Sequence, residues 1–558
     1  MTPRSRSAEL TLSGPQESPA AAWQLARAAA GAARLRRILI ALAAGLVLAT
    51  CVFAAGRVLW RVISTDGGWY SYPGYAASQG RDPDENLLPA SRLPLTPPGV
   101  RSLFKWENRA FLLTDIDRAW FDLAGAGGKS IVTFGVLQWL ALIALVGWSV
   151  QRATGNPWAA GAAALAAGSD VQVIFESLAD LRPDIPLAVI GAGSLCCFIH
   201  FLRRRSPSSF VAAGVLIALL PLVHTTGVVP AAMMLTCVAI SALIPVNGRL
   251  SKSYMVACAA LVAATLVLFL AREPIMDVLI PTKVSLSSQL SGTHDLPAML
   301  LGMVHRGVGW KLAQERVRWT RYFVPGNLPQ AFFLLIGFVA LLRAGSRRGT
   351  RMAERLWLPA GWLAGILTLT VTDPHFTDSH LIPIIALGYV MAGAGWGLLL
   401  EGSRQAAPRT QGMLALTLLS FLAFLGLGLR TAQAAIDVHQ GVRQGVSRES
   451  VRHLLAKVFP GSGVTWAVAP TSLWLYAPQR GTPVLVDDRD DPGVIRTALW
   501  KRVSVLVIDT NFLQYGWGKV ARQGVAAGWL KPIGQVGTPR DPYFIAAYRV
   551  EHTGAGGV

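Results

Sequence analysis

The chain has 558 residues, of which 52% are hydrophobic and only 15% charged, and it carries a formal net charge of +20. That apolar share excludes an ordinary soluble enzyme and points to a chain that crosses a membrane many times. The basic excess does not indicate nucleic acid, because the arginines sit in short clusters beside apolar runs, where the cytoplasmic bias of membrane proteins puts them.

Residues 1 to about 35 are basic and rich in Ser, Pro and Ala, with no small-residue cleavage site after a short apolar core, which predicts a retained cytoplasmic tail. A transmembrane module follows over about 36–430. Its first span covers about 37–60, with Arg34, Arg36 and Arg37 at the inner end. A large first outer loop over about 61–129 opens with Ser64-Thr65-Asp66-Gly67-Gly68-Trp69-Tyr70 and carries the acids Asp82, Asp84 and Glu85. Further apolar runs at about 130–150, 157–179, 184–202, 208–222, 224–245, 253–271, 329–342, 356–372, 381–400 and 411–430 bring the expected total to about eleven spans. The run 157–179 is apolar for only part of its length and then carries Asp170 and Glu176, so it is expected to cross as a broken helix buried in protein.

Charge tests this topology. With the tail inside, the segments due to be cytoplasmic contain Arg152, Arg203 to Arg205, Arg249 with Lys252, Arg343 to Arg355, and Arg404 with Arg409. One outer segment, about 272–328, runs against the bias with Arg306, Lys311, Arg316, Arg318 and Arg321. The cysteines Cys51, Cys196, Cys197, Cys237 and Cys258 all fall in apolar runs and read as small buried hydrophobes, not as a disulfide framework.

On this topology the polar residues at span ends gather on the outer side: Asp66, Asp180-Leu181-Arg182-Pro183-Asp184, His224, and Asp373 to His380. An ionisable group at the edge of hydrocarbon is costly, so such convergence points to a site. From about 440 to 558 the composition shifts, and helix-like segments (Ser447–Lys457, Asp491–Trp500) alternate with strand-like ones (Val464–Val468, Pro483–Val486, Val503–Ile508, Tyr543–Val550). This is a soluble α/β domain, placed outside by the odd number of spans. It has no Gly-rich phosphate loop, and its acidic cluster Asp487, Asp488, Asp490 and Asp491 has the charge to bind a cation but reads first as a solvated turn.

The run Asp66-Gly67-Gly68-Trp69-Tyr70 through Gln79-Gly80, the Arg182-Pro183-Asp184 element opening a later span, a His-containing motif before a late span and a soluble C-terminal tail together resemble the C-type membrane glycosyltransferases of the GT-C fold. The branch they are most similar to includes the protein O-mannosyltransferases and the lipid A aminoarabinose transferases. The chain departs from many of these in having Gly67 after the first Asp, and Thr96-Pro97-Pro98 where a Lys-Pro-Pro element is common. The resemblance implies transfer of a sugar, with inversion, from a polyprenyl-phosphate-linked donor to a glycan, lipid or protein acceptor hydroxyl at the outer face of the inner (plasma) membrane. It requires no cofactor, although a divalent metal could assist.

Such a reaction makes physical demands that the residues can meet. Asp66, fixed at a helix end, is the candidate base for the acceptor hydroxyl. Arg182 is the candidate cation for the leaving phosphate, held by Asp180 or Asp184, with Arg101, Lys105, Arg306, Arg318 and Arg321 as further cations. His224 is a candidate phosphate contact, and Trp69, Tyr70, Tyr72 and Tyr75 form an aromatic shelf for the sugar or the prenyl chain. His375 and His380 have the spacing of a metal pair.

Plainer roles exist for each of these. Asp66 can cap a helix, Asp180, Arg182 and Asp184 can close a loop as ion pairs, His224 can mark a turn after Pro221, the histidines can be loop residues, and the aromatics can be membrane-belt anchors. A transporter or lipid flippase is the competing class, yet it should place ionisable groups at the bilayer midplane and show repeated halves, which this sequence does not.

Overall fold

The computed structural model describes residues 65–78, 111–180, 182–243, 252–270, 308–324, 326–346, 353–372, 378–403, 448–459, 464–469, 482–486, 503–514, 516–539 and 544–551. The expected first and last spans, the basic tail and the acidic cluster of 487–491 lie outside these residues, as do Arg101, Lys105, Arg306 and His375.

Two helices come first, α1 (Thr65–Ser78) and α2 (Phe111–Ala124), and they pack on each other. Gly74 allows the approach: a Cβ there would lie 2.5 Å from the Cβ of Asp117. α2 was hidden in the sequence within the polar loop, because it alternates exposed acids and arginine with a buried stripe of Leu113, Asp117 and Phe121.

The helical body then runs through α3 (Gly128–Thr154), α4 (Pro157–Gly168), α5 (Val171–Phe175), a π-helical turn (Glu176–Asp180), α6 (Asp184–Arg204), α7 (Pro207–Val223), α8 (Val228–Leu243), α9 (Lys252–Leu270), α10 (Val308–Phe323), α11 (Leu328–Ser346), α12 (Ala353–Thr372) and α13 (Ile382–Ser403). Among the described residues three helices are long and apolar enough to cross a membrane singly, in α3, α6 and α13, and two bent helix pairs have the length and composition for a broken span or a re-entrant loop. One of these pairs joins Pro157–Gly168 to Val171–Leu178 at 55°, which is the broken helix that Asp170 and Glu176 required. α7, α8, α9 and α12 are shorter apolar helices. Close backbone packing holds the body: Gly337 of α11 and Gly395 of α13 face one another with no room for a side chain on either. Cys196, Cys197, Cys237 and Cys258 are free thiols.

Short connections make successive helices antiparallel, so their ends sort into two sets. One set holds the C-termini of α3 and α6 with Arg152, Arg203, Arg204 and Arg205, where Arg203 donates to the carbonyl of Ala153. The other holds the start of α6, the turn between α7 and α8, and the start of α13.

The C-terminal part contains α14 (Arg448–Val458), β1 (Val464–Val468), β2 (Thr482–Val486), β3 (Val505–Asp509), α15 (Thr510–Gln514), α16 (Trp517–Ala526), β4 (Leu530–Val536) and β5 (Ile545–Val550). Its sheet has the order β2-β1-β3-β5-β4, parallel between β1 and its two neighbours and antiparallel where β5 meets β3 and β4. Leu506, Ile508, Phe512, Trp517, Phe544 and Val550 form its core. Asp509 accepts the backbone N–H of Phe512 at 2.9 Å, which turns the chain from β3 directly into α15.

Candidate active site

Asp170 ends α4 and starts α5. Its Oδ1 accepts the backbone N–H of Gln172 (2.9 Å) and of Val173 (3.2 Å) together with the Asn327 amide (3.0 Å), and its Oδ2 accepts the hydroxyls of Tyr322 (2.8 Å) and Tyr389 (2.6 Å). Asn327 accepts in turn the N–H of Val171 at 2.9 Å. The break in the span is therefore tied to α10, to the connection before α11 and to α13, with its freed backbone groups satisfied.

The chain continues from this anchor into the π-helical turn. Glu176, Ser177 and Leu178 of that turn are buried, and the turn touches α1, α3, α6 and the end of α5. Single π turns are uncommon and concentrate at functional sites, because they widen the helix and re-aim its side chains. Arg182 follows, half-buried, and its Nη1 donates to Ser379 Oγ at 3.3 Å. Ser379 is 3% exposed and belongs to the 3-10 turn Asp378–Leu381 that leads into α13. Arg318 and Arg321 are electrostatic neighbours of Asp378 in the same turn, so three arginines surround it. They differ in freedom. The Arg318 guanidinium is buried and donates through Nε (3.1 Å) and Nη2 (2.7 Å) to Glu315, beside Lys311, whereas Arg321 is exposed.

His224 caps the end of α7 and is buried. The backbone N–H of Thr226 donates to its Nδ1 at 3.3 Å, so Nδ1 is an acceptor and the neutral ring carries its proton on Nε2; the Thr226 hydroxyl lies 2.8 Å from the same atom. The ring packs edge-on against Tyr70, with centroids 6.1 Å apart. Tyr70 belongs to α1, the helix whose sequence begins Thr65-Asp66, so His224 borders α1.

The structure thus gathers α1, the π turn, Arg182, Asp184, His224 and the turn holding His380 at one end of the helical body. Arg182 donates to Ser379, and the Asp184 carboxylate, one of its two expected partners, makes no hydrogen bond among the described residues, while the Asp180 side chain lies outside them. Arg318 gives its Nε and Nη2 to Glu315. Trp69 and Asp180 lie on α1 and the π turn, and His380 is half-buried in the 3-10 turn. Among the described residues no group of three or more His, Cys, Asp or Glu side chains is placed to hold a metal ion. Sequence reading missed Ser379 as the partner of Arg182, since nothing links positions 182 and 379 before the chain folds.

No protein-family model matches this chain, and no curated protein does. Solved structures do. The chain superposes on ArnT from Cupriavidus metallidurans in the apo state with a TM-score of 0.60 and 14% identity, over 92% of this chain and 98% of that one. It superposes on ArnT from the same organism bound to undecaprenyl phosphate with a TM-score of 0.57 and 13% identity, over 91% and 98%. ArnT is a lipid A aminoarabinose transferase of the GT-C type. The fold is the one these ArnT structures share. At this identity the likeness is one of fold, and it extends over nearly the whole length of both chains.

Proposed function

We propose that this protein is an inverting glycosyltransferase of the inner (plasma) membrane that moves a sugar from a polyprenyl-phosphate donor to an acceptor hydroxyl of a glycan, lipid or protein. The observation that supports the proposal is that, within an ArnT-like fold, α1, the helix whose sequence includes Asp66, touches His224 through Tyr70 and touches the π turn that precedes the Arg182–Ser379 pair. Arg152, Arg203, Arg204 and Arg205 lie at the opposite end, and the positive-inside bias makes that end cytoplasmic. The site then faces outward, and so does the C-terminal domain if the apolar run at about 411–430 crosses as its sequence predicts.

Asp66 takes the proton of the acceptor hydroxyl as its oxygen bonds to the anomeric carbon. The bond from that carbon to the phosphate oxygen breaks on the opposite side, which inverts the configuration. The phosphate leaves with the electron pair, and Arg182, aided by the exposed Arg321, meets its growing charge. The Nε2–H of His224 is a neutral donor to the same region, and Tyr70 and Trp69 bound the sugar side. This chemistry needs no resident cofactor.

Asp66→Asn tests the assignment, because Asn keeps size and capping ability but loses basicity. The variant should remain folded in detergent while transfer falls by at least roughly a hundredfold. Activity within about tenfold of the parent rejects Asp66 as the base.

A further inference from the structure

The C-terminal domain carries a cleft that the proposed chemistry does not use. It lies between α16 and the β4 and β5 strands, and its volume of about 510 Å³ is that of a small-ligand site.

Both walls follow from the local sequence. On α16, Trp517, Val520, Ala521 and Gly524 turn into the domain, while Arg522 and Val525 stand beside that stripe, exposed along the cleft. On the sheet, Pro532 pairs with Tyr548 and Gln535 pairs with Ala546, so these four side chains share one face. Two residues on one strand are normally two apart to share a face, and Pro532 and Gln535 are three apart. The irregular register between Pro532 and Gly534 supplies the extra residue and turns Gln535 toward the cleft. Ala546, 2% exposed, is too short to fill the space between the walls.

One charge stands in this otherwise neutral lining. Arg522 is exposed, and among the described residues no carboxylate pairs with it, whereas Lys531 of the same domain has Glu551 at 3.1 Å. The Arg522 Nη1 lies 3.7 Å from the place a Cβ on Gly518 would take, so the guanidinium is folded back over the start of α16. It acts electrostatically on the half-buried Tyr548 phenol of the opposite wall. A planar donor fork, a tyrosine ring and a primary amide therefore line one concave surface, with Pro532 and Val525 as its apolar rim.

We infer that this cleft is a binding site for an acidic saccharide, one whose sugar ring carries a carboxylate. A sugar ring offers a face of C–H groups to Tyr548 and the apolar rim, and a border of hydroxyls to the Gln535 amide. The guanidinium fork matches a carboxylate in a bidentate way. A single cation balances the one charge of a carboxylate and falls short of a phosphate monoester, which carries nearly two. The inference stands on residues of the C-terminal domain alone and goes beyond the glycosyltransferase reading, which places none of them in its chemistry.

The test is titration calorimetry on the full chain in nanodiscs. The probes are trigalacturonate, its methyl ester, which keeps the sugar and loses the charge, and the peptide acetyl-trialanine, which keeps a carboxylate and lacks the sugar. The parent should bind trigalacturonate at least roughly tenfold more tightly than either control, since a hydrogen bond to a charged group is at stake in one case and ring contact in the other. Arg522→Gln and Gln535→Ala change exposed side chains and should melt as the parent does. Arg522→Gln should bring the affinity for trigalacturonate down to that for the ester, and Gln535→Ala should weaken both sugar probes alike, by roughly threefold to tenfold. Equal binding of trigalacturonate and its ester overturns the role of the charge, and equal binding of the peptide overturns the sugar. Unchanged affinity in Arg522→Gln places the site elsewhere, and no binding of any probe removes it. None of these outcomes bears on Asp66, whose own variant tests the transfer reaction.

Discussion

Asp170 and Asp184 are both acids buried in the same helical body, and they are treated in opposite ways. Asp170 receives two tyrosine hydroxyls, an asparagine amide and two backbone N–H groups. Asp184 receives nothing from the described residues. Inside protein a carboxylate is stabilised only by the donors it finds there, so the first is a fastener and the second has its burial cost left without offset from the described residues. The fastener holds a break in a span, and the chain that leaves the break supplies the π turn, Arg182 and Asp184 within a few residues. On the proposed function, folding and chemistry are divided between neighbouring segments, and removing each acid should produce opposite effects on stability.

The largest expected effect is at the fastener. Asp170→Ala strands the hydroxyls of Tyr322 and Tyr389, the Asn327 amide and the two N–H groups that start α5, and a buried network broken from one side costs about 3–5 kcal/mol. Thermal unfolding in detergent should show a large drop or loss of monodisperse protein. Asp184→Leu should instead leave the melting temperature unchanged or raise it, because it removes a buried carboxyl group with no hydrogen-bond partner among the described residues. If both variants melt alike, the contrast between the two acids is not real.

Next in size is the grip on the phosphate. Arg182→Lys keeps the charge but not the fork, and should lower transfer by roughly ten- to a hundredfold with the fold intact. Ser379→Ala removes one hydrogen bond to that fork and should cost only about fivefold, restored by Ser379→Thr. A serine variant as damaged as the arginine variant would place Ser379 in the fold and not in the positioning of Arg182.

How much of this was legible in the sequence follows from how local each feature is. Apolar runs mark α3, α6, α7, α8, α9, α11, α12 and α13, and β1, β2, β3 and β5 read as strands, because each is set by its own residues. β4 did not read as a strand: Pro532 and Gly534 interrupt it, and the structure tolerates them at a sheet edge with an irregular register between them. α16 was hidden for a similar reason, since a Gly-rich, mixed sequence becomes helical by packing Trp517 and Val520 into the domain core. At the site, Arg182, Asp184 and His224 could be singled out as polar residues at span ends. Their partners could not, because Ser379, Tyr322, Asn327 and Tyr389 come from distant helices and look like ordinary residues until the chain brings them together. Asp170 was visible only as a flaw in an apolar run; its role as anchor depends on donors more than a hundred and fifty residues away.

The smallest expected effect concerns a third buried acid, Asp117 of α2, which belongs to the outer loop and sharpens the same contrast. It is 4% exposed and packs against Gly74 of α1, and burial pushes its carboxyl well above the usual carboxylate range. No hydrogen bond from a described residue offsets this. The folded chain therefore holds the Asp117 proton to higher pH than the unfolded chain does. Between the unfolded value, 3.8, and the higher folded value, the folded state binds more protons, so stability falls as pH rises through that window and levels off above it. The slope for one proton cannot exceed about 1.4 kcal/mol per pH unit. Asp117→Asn should remove this component. Its melting temperature should match the parent at the acid end of the window and exceed it at neutral pH, with the gap widening as pH rises. A gap that is constant with pH, or that narrows, would mean that ionised Asp117 has a donor of its own and belongs with Asp170 among the fasteners.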